Sequence, residues 1–274
     1  MLSAASAPTP PPPFSLIDGP RVDVIAFARE LAEATPIPLW VDHFNSGAHS
    51  GDWSGMALRS TSGRGDDIRP DSQPEQSFVN TPLLQSLPSL RATFANTPWK
   101  VRGARLLRLA PGGRIGLHSD DDLAPGSGEC RLHCPLTAGD AVDFRVNGER
   151  VPFGSVGQWW YVDVSLPHRV VNWGDTPRIH LVIDIVVDAD FFVRVSAANE
   201  VVLADDFACS FEAFRSLMIT DSDVFAVLSA PNDLDLFAAR AIALGAARGF
   251  RFTERDVRDA AQLGKQQWSQ RRLR

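Results

Sequence analysis

The sequence predicts a mainly β protein, a barrel or jelly roll, with an α-helical C-terminal subdomain. Seven short β-type runs lie between residues 101 and 187, separated by turn residues, as in barrels and jelly rolls. After about residue 190 the apolar residues recur at helical spacing instead. The predicted domains are a disordered proline-rich leader over 1–14, the β domain over 15–192 and a helical domain over 193–274.

The β-type runs are read from alternating apolar residues and from the turns between them. They are VRGARLLRLA, RIGLH, CRLHCPLT, AVDFRV, QWWYVDV, HRVVNW and RIHLVIDIVV. The Asn147-Gly148 pair is a strong signal for a tight hairpin, and Pro111-Gly112-Gly113 marks another turn. Upstream, residues 37–60 predict two short strands around a loop, 61–76 a long polar loop and 82–94 a helix.

The segment after the β runs predicts helices over residues 207–229 and 233–261. Gly249 is placed as a helix stop, and Thr253 to Asp256 has the form of a capping box that opens a further helix. This segment is therefore expected to be a small helical unit.

The bulk composition excludes several classes of protein. A formal net charge of −6 argues against a nucleic-acid or anionic-membrane partner, because either would favour a basic face. No apolar run approaches the roughly 20 residues that span a bilayer. The three cysteines, Cys130, Cys134 and Cys209, have neither a disulfide-framework nor a zinc-site spacing, which indicates a reducing compartment. We expect a cytoplasmic protein, and the sequence leaves its oligomeric state open.

Three residues in the β region could hold a metal ion. Residues i and i+2 of a strand point to the same face, so His118 and Asp120 project together, whereas Asp121 faces away. His168 follows fifty residues later, after a turn-like Ser-Leu-Pro. Two imidazoles and one carboxylate are the donor set of non-haem Fe(II) oxygenases, in which three metal positions stay open. The pattern predicts an iron site that leaves room for a chelating 2-oxoacid and dioxygen.

Arg178 could bind the far carboxylate of such a 2-oxoacid. It lies ten residues after His168, at the start of the next β run. A guanidinium suits this task because its planar fork matches a carboxylate bidentately and keeps its charge. Each of these features is common alone, and their joint occurrence in one β region is what indicates an oxygenase.

Three stretches of the β region resemble the aspartyl/asparaginyl β-hydroxylase family, including its bacterial free-amino-acid branch, the cis-proline hydroxylases. They are LAPGGRIGLHSD (109–120), RLHCPL (131–136) and HRVVNWGDTPRIHLVID (168–184), and GDWSGMALRS (51–60) adds a fourth similarity. The resemblance covers roughly residues 35–190. It implies a double-stranded β-helix, which is cupin-like, and a dioxygenase that uses Fe(II), O2 and 2-oxoglutarate.

The resemblance also implies roles for single residues. Those roles are iron binding for His118, Asp120 and His168, 2-oxoglutarate binding for Arg178 and His133, and substrate-carboxylate binding for Arg131 and Arg105. Vertebrate peptide-hydroxylating members lack the acidic iron ligand, so the presence of Asp120 sides with the bacterial branch. The resulting hypothesis is hydroxylation of a C–H bond of a free or small amino acid, with 2-oxoglutarate decarboxylated to succinate.

Two alternatives stay open. Residues 211–260 resemble the Nif-type leader domain of precursors of ribosomally made peptide natural products, which would favour a peptide or carrier-bound substrate; a helical cap packed on the barrel is the other interpretation. A non-catalytic cupin-like module could use the same His and Asp residues to hold a structural metal. Arg178 and His133 argue against that module, because a structural site needs no carboxylate clamp.

Overall fold

In the computed structural model the chain forms two antiparallel β-sheets with helices outside them. The structure describes residues 11–34, 39–44, 49–70, 77–137, 141–188, 191–193, 195, 211, 214–215, 217, 221–229, 233–258 and 260–261. None of the helices within these ranges has the length and apolar character needed to cross a membrane.

The described elements alternate short strands with few helices. The strands are β1 (Phe14–Ile17), β2 (Val41–Asp42), β3 (His49–Ser50), β4 (Trp53–Ser60), β5 (Val79–Asn80), β6 (Lys100–Leu109), β7 (Arg114–His118), β8 (Glu129–Pro135), β9 (Val142–Val146), β10 (Glu149–Arg150), β11 (Trp159–Val162), β12 (His168–Asn172) and β13 (Arg178–Val186). The helices are α1 (Val24–Glu33), α2 (Pro82–Gln85), α3 (Pro88–Ala95), α4 (Ser222–Ser229) and α5 (Leu234–Ala246).

The strands form a larger and a smaller sheet. The larger sheet has the order β1-β11-β8-β13-β6-β4-β2, with β5 paired to β4, and the smaller has the order β10-β9-β12-β7-β3. All of these pairs are antiparallel. The predicted jelly roll, a double-stranded β-helix, is confirmed, and six of the seven predicted β runs coincide closely with β6 to β9, β12 and β13, while the seventh extends on both sides of β11.

Strand β13 shows how the larger sheet has an apolar core on one face and a cavity on the other. Alternate residues of a strand point to opposite faces. Leu181 and Ile183 belong to the apolar cluster beneath α1, α2 and α3, whereas Arg178 and Asp184 line a cavity on the other face. A second apolar cluster joins residues of both sheets, including Phe144 of β9. The larger sheet therefore carries a covered apolar face and a polar face directed at the smaller sheet.

Two turns show the local rules at work. Asn147 and Gly148 both have positive φ, +51° and +88°, which is the backbone of the predicted tight hairpin between β9 and β10. The single helix predicted over residues 82–94 is instead two helices, α2 and α3. The break falls at Leu87, whose ψ of 77° is not helical, because the ring of Pro88 disfavours a helical conformation in the preceding residue.

The N-terminal prediction needs correction. Residues 1–10 of the predicted disordered leader lie outside the described residues, but its last residue, Phe14, opens strand β1 and pairs with Val162. The Phe14 side chain is 1% exposed. Helix α1 was not predicted either, although Asp23 caps it by accepting hydrogen bonds from two backbone amides. The run of prolines before Phe14 concealed the strand.

The C-terminal segment has an apolar cluster of its own. The described residues at 222–229, 234–246 and 254–258 are helical, as predicted, and the chain turns at Gly249 with φ +84°. One half of the predicted capping box is present, since the amide of Thr253 donates to the Asp256 carboxylate at 2.6 Å. The Thr253 hydroxyl also donates to this carboxylate, at 2.9 Å. The cluster consists of Phe211, Phe214, Val224, Leu228, Ala238, Ala241 and Val257. We call this segment, residues 211–261, the helical unit; the domain boundaries stay predictions.

If β1 belongs to the folded core, replacing its buried aromatic residue lowers stability. We predict that Phe14→Ala reduces the free energy of unfolding by about 3–5 kcal/mol, the usual cost of a buried Phe→Ala change. Urea unfolding followed by circular dichroism measures it. Ile25→Ala, at a position 82% exposed on α1, is the control, and its effect is expected to stay within about 0.5 kcal/mol. Equal stability of Phe14→Ala and wild type would show that β1 is dispensable.

Candidate active site

A cavity of about 700 Å³ lies between the two sheets. All seven residues singled out from the sequence line it: Arg105, His118, Asp120, Arg131, His133, His168 and Arg178. The strands that bring them together belong to both sheets, because β7 and β12 are in the smaller sheet and β6, β8 and β13 are in the larger. Residues up to 73 positions apart in the chain therefore line the same cavity.

Three potential metal ligands converge at one end of two paired strands. His118 ends β7 and His168 begins β12, and the two are direct partners in the register of these strands. Asp120 follows just beyond β7, where its backbone amide donates to the Val164 carbonyl at 2.8 Å. One ligand atom from each residue lies within 4.8 Å of the others. This spacing is compatible with a single ion bound to all three.

Backbone hydrogen bonds orient both imidazoles. Nδ1 of His118 lies 2.8 Å from the Gly116 carbonyl oxygen, and Nδ1 of His168 lies 3.0 Å from the Leu166 carbonyl oxygen. A proton held on Nδ1 by a carbonyl leaves Nε2 as the ligand atom. Burial, followed by the neighbouring His118, lowers the pKa of His168 to about 4, so this imidazole is neutral at neutral pH. Two imidazole Nε2 atoms with a carboxylate are the donor set for Fe(II) with open positions.

A buried carboxylate links the two arginines. Asp184 of β13 accepts from Nη2 of Arg105 at 2.9 Å and from Nε of Arg131 at 2.8 Å. Arg131 also donates from Nη1 to Asp120 at 2.7 Å. Burial disfavours the charged form of Asp184, but the charges of Arg105 and Arg131 outweigh it and hold its pKa below the ordinary value. Both guanidinium groups are thus already paired, a feature that the sequence interpretation did not include.

Asp184 escaped the sequence analysis although a signal was available. It lies six residues after Arg178 on the same strand and therefore on the same face. Asp184 is also the direct partner of Arg131 in the register of β13 and β8. Only that register, which the sequence does not give, identifies the acid that neutralises Arg131.

Arg178 lies buried, with no carboxylate paired to it in the described part of the chain. It is 3% exposed, and its Nε has no hydrogen-bond partner among the described residues. Its Nη2 donates to Nδ1 of His180 at 2.8 Å, and the guanidinium stacks 5.7 Å from the centroid of the Phe144 ring. Burial lowers the pKa of Arg178 from its ordinary value to about 9, which leaves it charged at neutral pH. An unpaired buried cation is costly and fits an anionic ligand.

His133 has a similar unmet need. Both of its ring nitrogens are buried, and neither has a hydrogen-bond partner among the residues described. Burial, followed by the charge of Arg178, lowers its pKa well below 6.5, so the ring is neutral and retains one N–H donor. Buried polar groups are nearly always satisfied in native structures, so the orphaned nitrogens of His133 and Arg178 indicate a place for a polar ligand.

Besides Asp184, the structure adds two further residues that the sequence analysis missed. His180 supports Arg178 from the same strand face, and its position two residues after Arg178 was the available signal. His43 lines the cavity and stacks on Trp53, with ring centroids 3.4 Å apart and planes at 11°. Burial, followed by Arg105 and Arg131, lowers the pKa of His43 to about 3. A lone histidine after a two-residue strand gives no signal of this placement.

Comparisons with known proteins identify the family of this chain. Residues 28–187, more than half of the chain, match the profile of the family described as Aspartyl/Asparaginyl beta-hydroxylase. Among curated proteins, the L-proline cis-4-hydroxylase of Rhizobium meliloti (strain 1021) is 29% identical over 137 residues, which cover 49% of this chain and 48% of that protein. The chain thus spans about half the length of the curated relative it matches.

Solved structures with similar folds include oxygenases at low identity. A 2OG-Fe(II) oxygenase family oxidoreductase from Burkholderia pseudomallei has a TM-score of 0.40 and 17% identity, covering 60% of this chain and 78% of its own. The viral collagen prolyl hydroxylase of Paramecium bursaria Chlorella virus-1 has a TM-score of 0.36 and 11% identity, covering 64% of this chain and 97% of its own.

The buried ion cluster predicts a specific loss of stability. Asp184→Asn keeps the shape of the side chain but removes its charge, which leaves the buried Arg105 without a carboxylate. We expect the free energy of unfolding to fall by about 3–5 kcal/mol, as when one partner of a buried pair is removed. Urea unfolding measures this change. The control is Asp66→Asn, which removes the charge of an exposed acid paired with Arg64 and should leave stability unchanged. Equal effects of the two changes would contradict the assigned role of Asp184.

Proposed function

Since the chain belongs to the aspartyl/asparaginyl β-hydroxylase family, we propose that it is an Fe(II)- and 2-oxoglutarate-dependent dioxygenase of free or small amino acids. The observation that carries the proposal is that one cavity holds both the three-ligand cluster and the unpaired nitrogens of Arg178 and His133. In the reaction, one atom of O2 enters succinate as 2-oxoglutarate loses carbon dioxide, and the other becomes the hydroxyl group of the product.

His118, Asp120 and His168 would hold the iron. Their spacing and the backbone bonds to both Nδ1 atoms support this role, because the Nε2 atoms need no rearrangement to bind. Bound Fe(II) would supply the activation of dioxygen, which no side chain can perform. Arg131 donates to Asp120 and thereby orients this carboxylate relative to the two histidines.

Arg178 and His133 would hold 2-oxoglutarate at its far carboxylate. The unpaired Nε of Arg178 and an N–H of His133 are donors with no partner among the described residues, and the guanidinium is fixed by His180. A charge-assisted hydrogen bond in such a buried place is stronger than the same bond in water. The far carboxylate of a 2-oxoacid would satisfy both orphaned groups at once, whereas a purely structural metal site would leave them unsatisfied.

Arg131 and Arg105 would bind the substrate carboxylate. A guanidinium has five N–H donors. Asp184 and Asp120 occupy three donors of Arg131, and Asp184 with the Ile68 carbonyl occupies two of Arg105. The remaining donors can reach a further carboxylate, although Asp184 offsets part of the positive charge. Recognition here would depend on hydrogen-bond geometry more than on net charge.

A free amino acid is favoured over a peptide. Among the described residues of the helical unit, none lines the cavity, so these residues offer no contact to a substrate held there. The curated relative is named for L-proline, which makes L-proline the first compound to test. The cytoplasmic location expected from the cysteines stays a prediction.

The proposal is tested by measuring succinate and product together. The protein is incubated with Fe(II), 2-oxoglutarate, O2 and either L-proline, other free amino acids or short peptides of the same residues. We expect a free amino acid to give succinate and hydroxylated product in equal amounts by mass spectrometry. Turnover with peptides alone would move the assignment to a peptide hydroxylase. No substrate-dependent succinate with any compound would contradict the dioxygenase proposal.

The metal ligands make a separate prediction. We expect His118→Ala and His168→Ala to weaken binding of Co(II), used as a less reactive substitute for Fe(II), by more than the 10–100-fold typical of residues that only orient a ligand. Anaerobic calorimetry measures the affinity, and circular dichroism checks the fold. His49→Ala, on the neighbouring strand β3, is the control and should bind like wild type. Wild-type affinity in either ligand variant would remove that residue from the site.

The proposed 2-oxoglutarate site gives a further prediction. Arg178→Leu removes the buried charge that would pair with the far carboxylate of 2-oxoglutarate. This co-substrate should therefore bind about 2–5 kcal/mol more weakly, which is roughly 30-fold or more. Anaerobic titration of the Fe(II)-loaded protein, followed by the visible charge-transfer band, measures the affinity. Arg178→Lys keeps a positive charge but lacks the planar fork of a guanidinium. Its affinity for 2-oxoglutarate should lie between those of the wild type and Arg178→Leu. An unchanged affinity in Arg178→Leu would mean that another cation binds the carboxylate.

A further inference from the structure

The outer side of strand β12 carries a buried cation directly behind a metal ligand. His168 lines the cavity, and the next residue, Arg169, points to the opposite face of the strand and is 2% exposed. Its Nη1 lies 2.8 Å from Oδ2 of Asp143 on β9, and its Nη2 lies 3.8 Å from Oδ1 of Asp256. Asp256 belongs to the helical unit. A carboxylate of that unit therefore reaches the strand that bears His168.

This carboxylate balances two like charges. Arg169 and Arg145 are direct partners in the register of β12 and β9, an arrangement that is unfavourable without compensation. Oδ1 of Asp256 lies 2.5 Å from Nη2 of Arg145, and Asp143 accepts from Nε of Arg145 at 2.9 Å. The side chain of Asp256 is 1% exposed. Asp143 and Asp256 thus offset the charges of Arg145 and Arg169, and removing Asp256 adds uncompensated positive charge behind the metal site.

Each carboxylate oxygen of Asp256 has its own close contacts. Oδ2 accepts from the amide and hydroxyl of Thr253 and so caps the last helical segment, while Oδ1 contacts the arginines. The same carboxylate ties the start of a helix to the outer face of the barrel.

The link reaches the barrel at an irregularity in the sheet. In the pairing of β12 with β7 the register shifts between His168 and Val170, so that Gly116 and Leu117 stand opposite the single residue Arg169. A β-bulge changes the direction of the side chains beside it, and bulges are frequent next to active sites. The residue flanking this bulge is His168, whose partner across the strands is His118.

We propose that Asp256 is a positioning residue for the metal centre: by holding Arg169 at the β-bulge, it fixes the direction of His168 and strengthens metal binding. The inference rests on the proposed function in that His168 is taken as a metal ligand. It makes the helical unit a working part of the barrel, in contrast to a tethered module that only recognises a substrate. A purely structural contact would affect stability and leave the metal affinity of the folded protein unchanged.

The test uses the full chain and the metal alone. Asp256→Asn keeps the shape of the side chain and removes its charge, and Co(II) affinity is measured by anaerobic calorimetry. We expect binding to weaken about tenfold, the lower end of the loss seen for residues that orient a ligand. Asp235→Asn, an exposed acid of the same unit that pairs with Arg258, is the matched control and should bind like wild type. Wild-type affinity in Asp256→Asn together with a lower melting temperature would overturn the proposal.

A double-mutant cycle tests the route through Arg169. If Asp256 acts through Arg169, the change Asp256→Asn should weaken metal binding little further in a chain that already carries Arg169→Met. Fully additive losses would overturn that route. Should Asp256→Asn fail to fold, Asp256→Glu takes its place, since it keeps the charge but displaces it. We expect Asp256→Glu to lose less than about tenfold in Co(II) affinity. No loss of affinity in Asp256→Glu would count against the proposal. Failure of the wild type to bind Co(II) would instead refute the proposed function.

Discussion

The ion pairs of Asp184 are the interaction on which the rest of the site depends. This carboxylate stands on the central strand β13, between β8 and β6, and holds Arg131 and Arg105 at the cavity wall. Arg131 in turn contacts Asp120, so the position of one potential metal ligand depends on a charge in the larger sheet, whereas the two histidines lie in the smaller sheet. Burying two guanidinium groups is tolerable only because Asp184 and Asp120 offset them. The same offset limits the field that these arginines exert on an incoming anion. Among the described residues that line the cavity, Arg178 is the arginine whose buried Nε has no hydrogen-bond partner.

The alternation of a β-strand accounts for both the stability and the polarity of this wall. Every second residue of β13 enters the apolar cluster beneath the helices, and the intervening residues include Arg178, His180 and Asp184. A strand that was apolar on both faces would give a better core and no site. Helices α1 to α3 cover the outer face, so the polar inner face can be devoted to ligands.

Much of this arrangement was predictable from local rules, and the remainder required the register. The seven β runs, the Asn147-Gly148 hairpin and the shared face of His118 and Asp120 follow from residue spacing, because spacing of one or two residues fixes which side chains share a face. The distant His168 was added from its residue type and from the family resemblance. Asp184, His43 and the second contact of Asp256 could not be found in this way, since each depends on which strand or helix lies beside it. Sequence identified Asp256 only as a helix cap; its pairing with Arg145, more than a hundred residues earlier, is a property of tertiary packing. Phe14 was missed for a local reason, because the prolines before it dominate the composition of that stretch.

Strand β1 also bears on how the chain folds during synthesis. Phe14 pairs with Val162, so β1 leaves the ribosome roughly 150 residues before its partner strand β11 exists. At a synthesis rate of about 5–20 residues per second, this apolar segment waits on the order of ten to thirty seconds with unpaired backbone. Such a segment can pair with another chain during that time. Proline donates no backbone hydrogen bond to a ladder, and four consecutive prolines stand directly before Phe14. The proline run therefore offers no amide donors through which an intermolecular sheet could extend beyond Phe14.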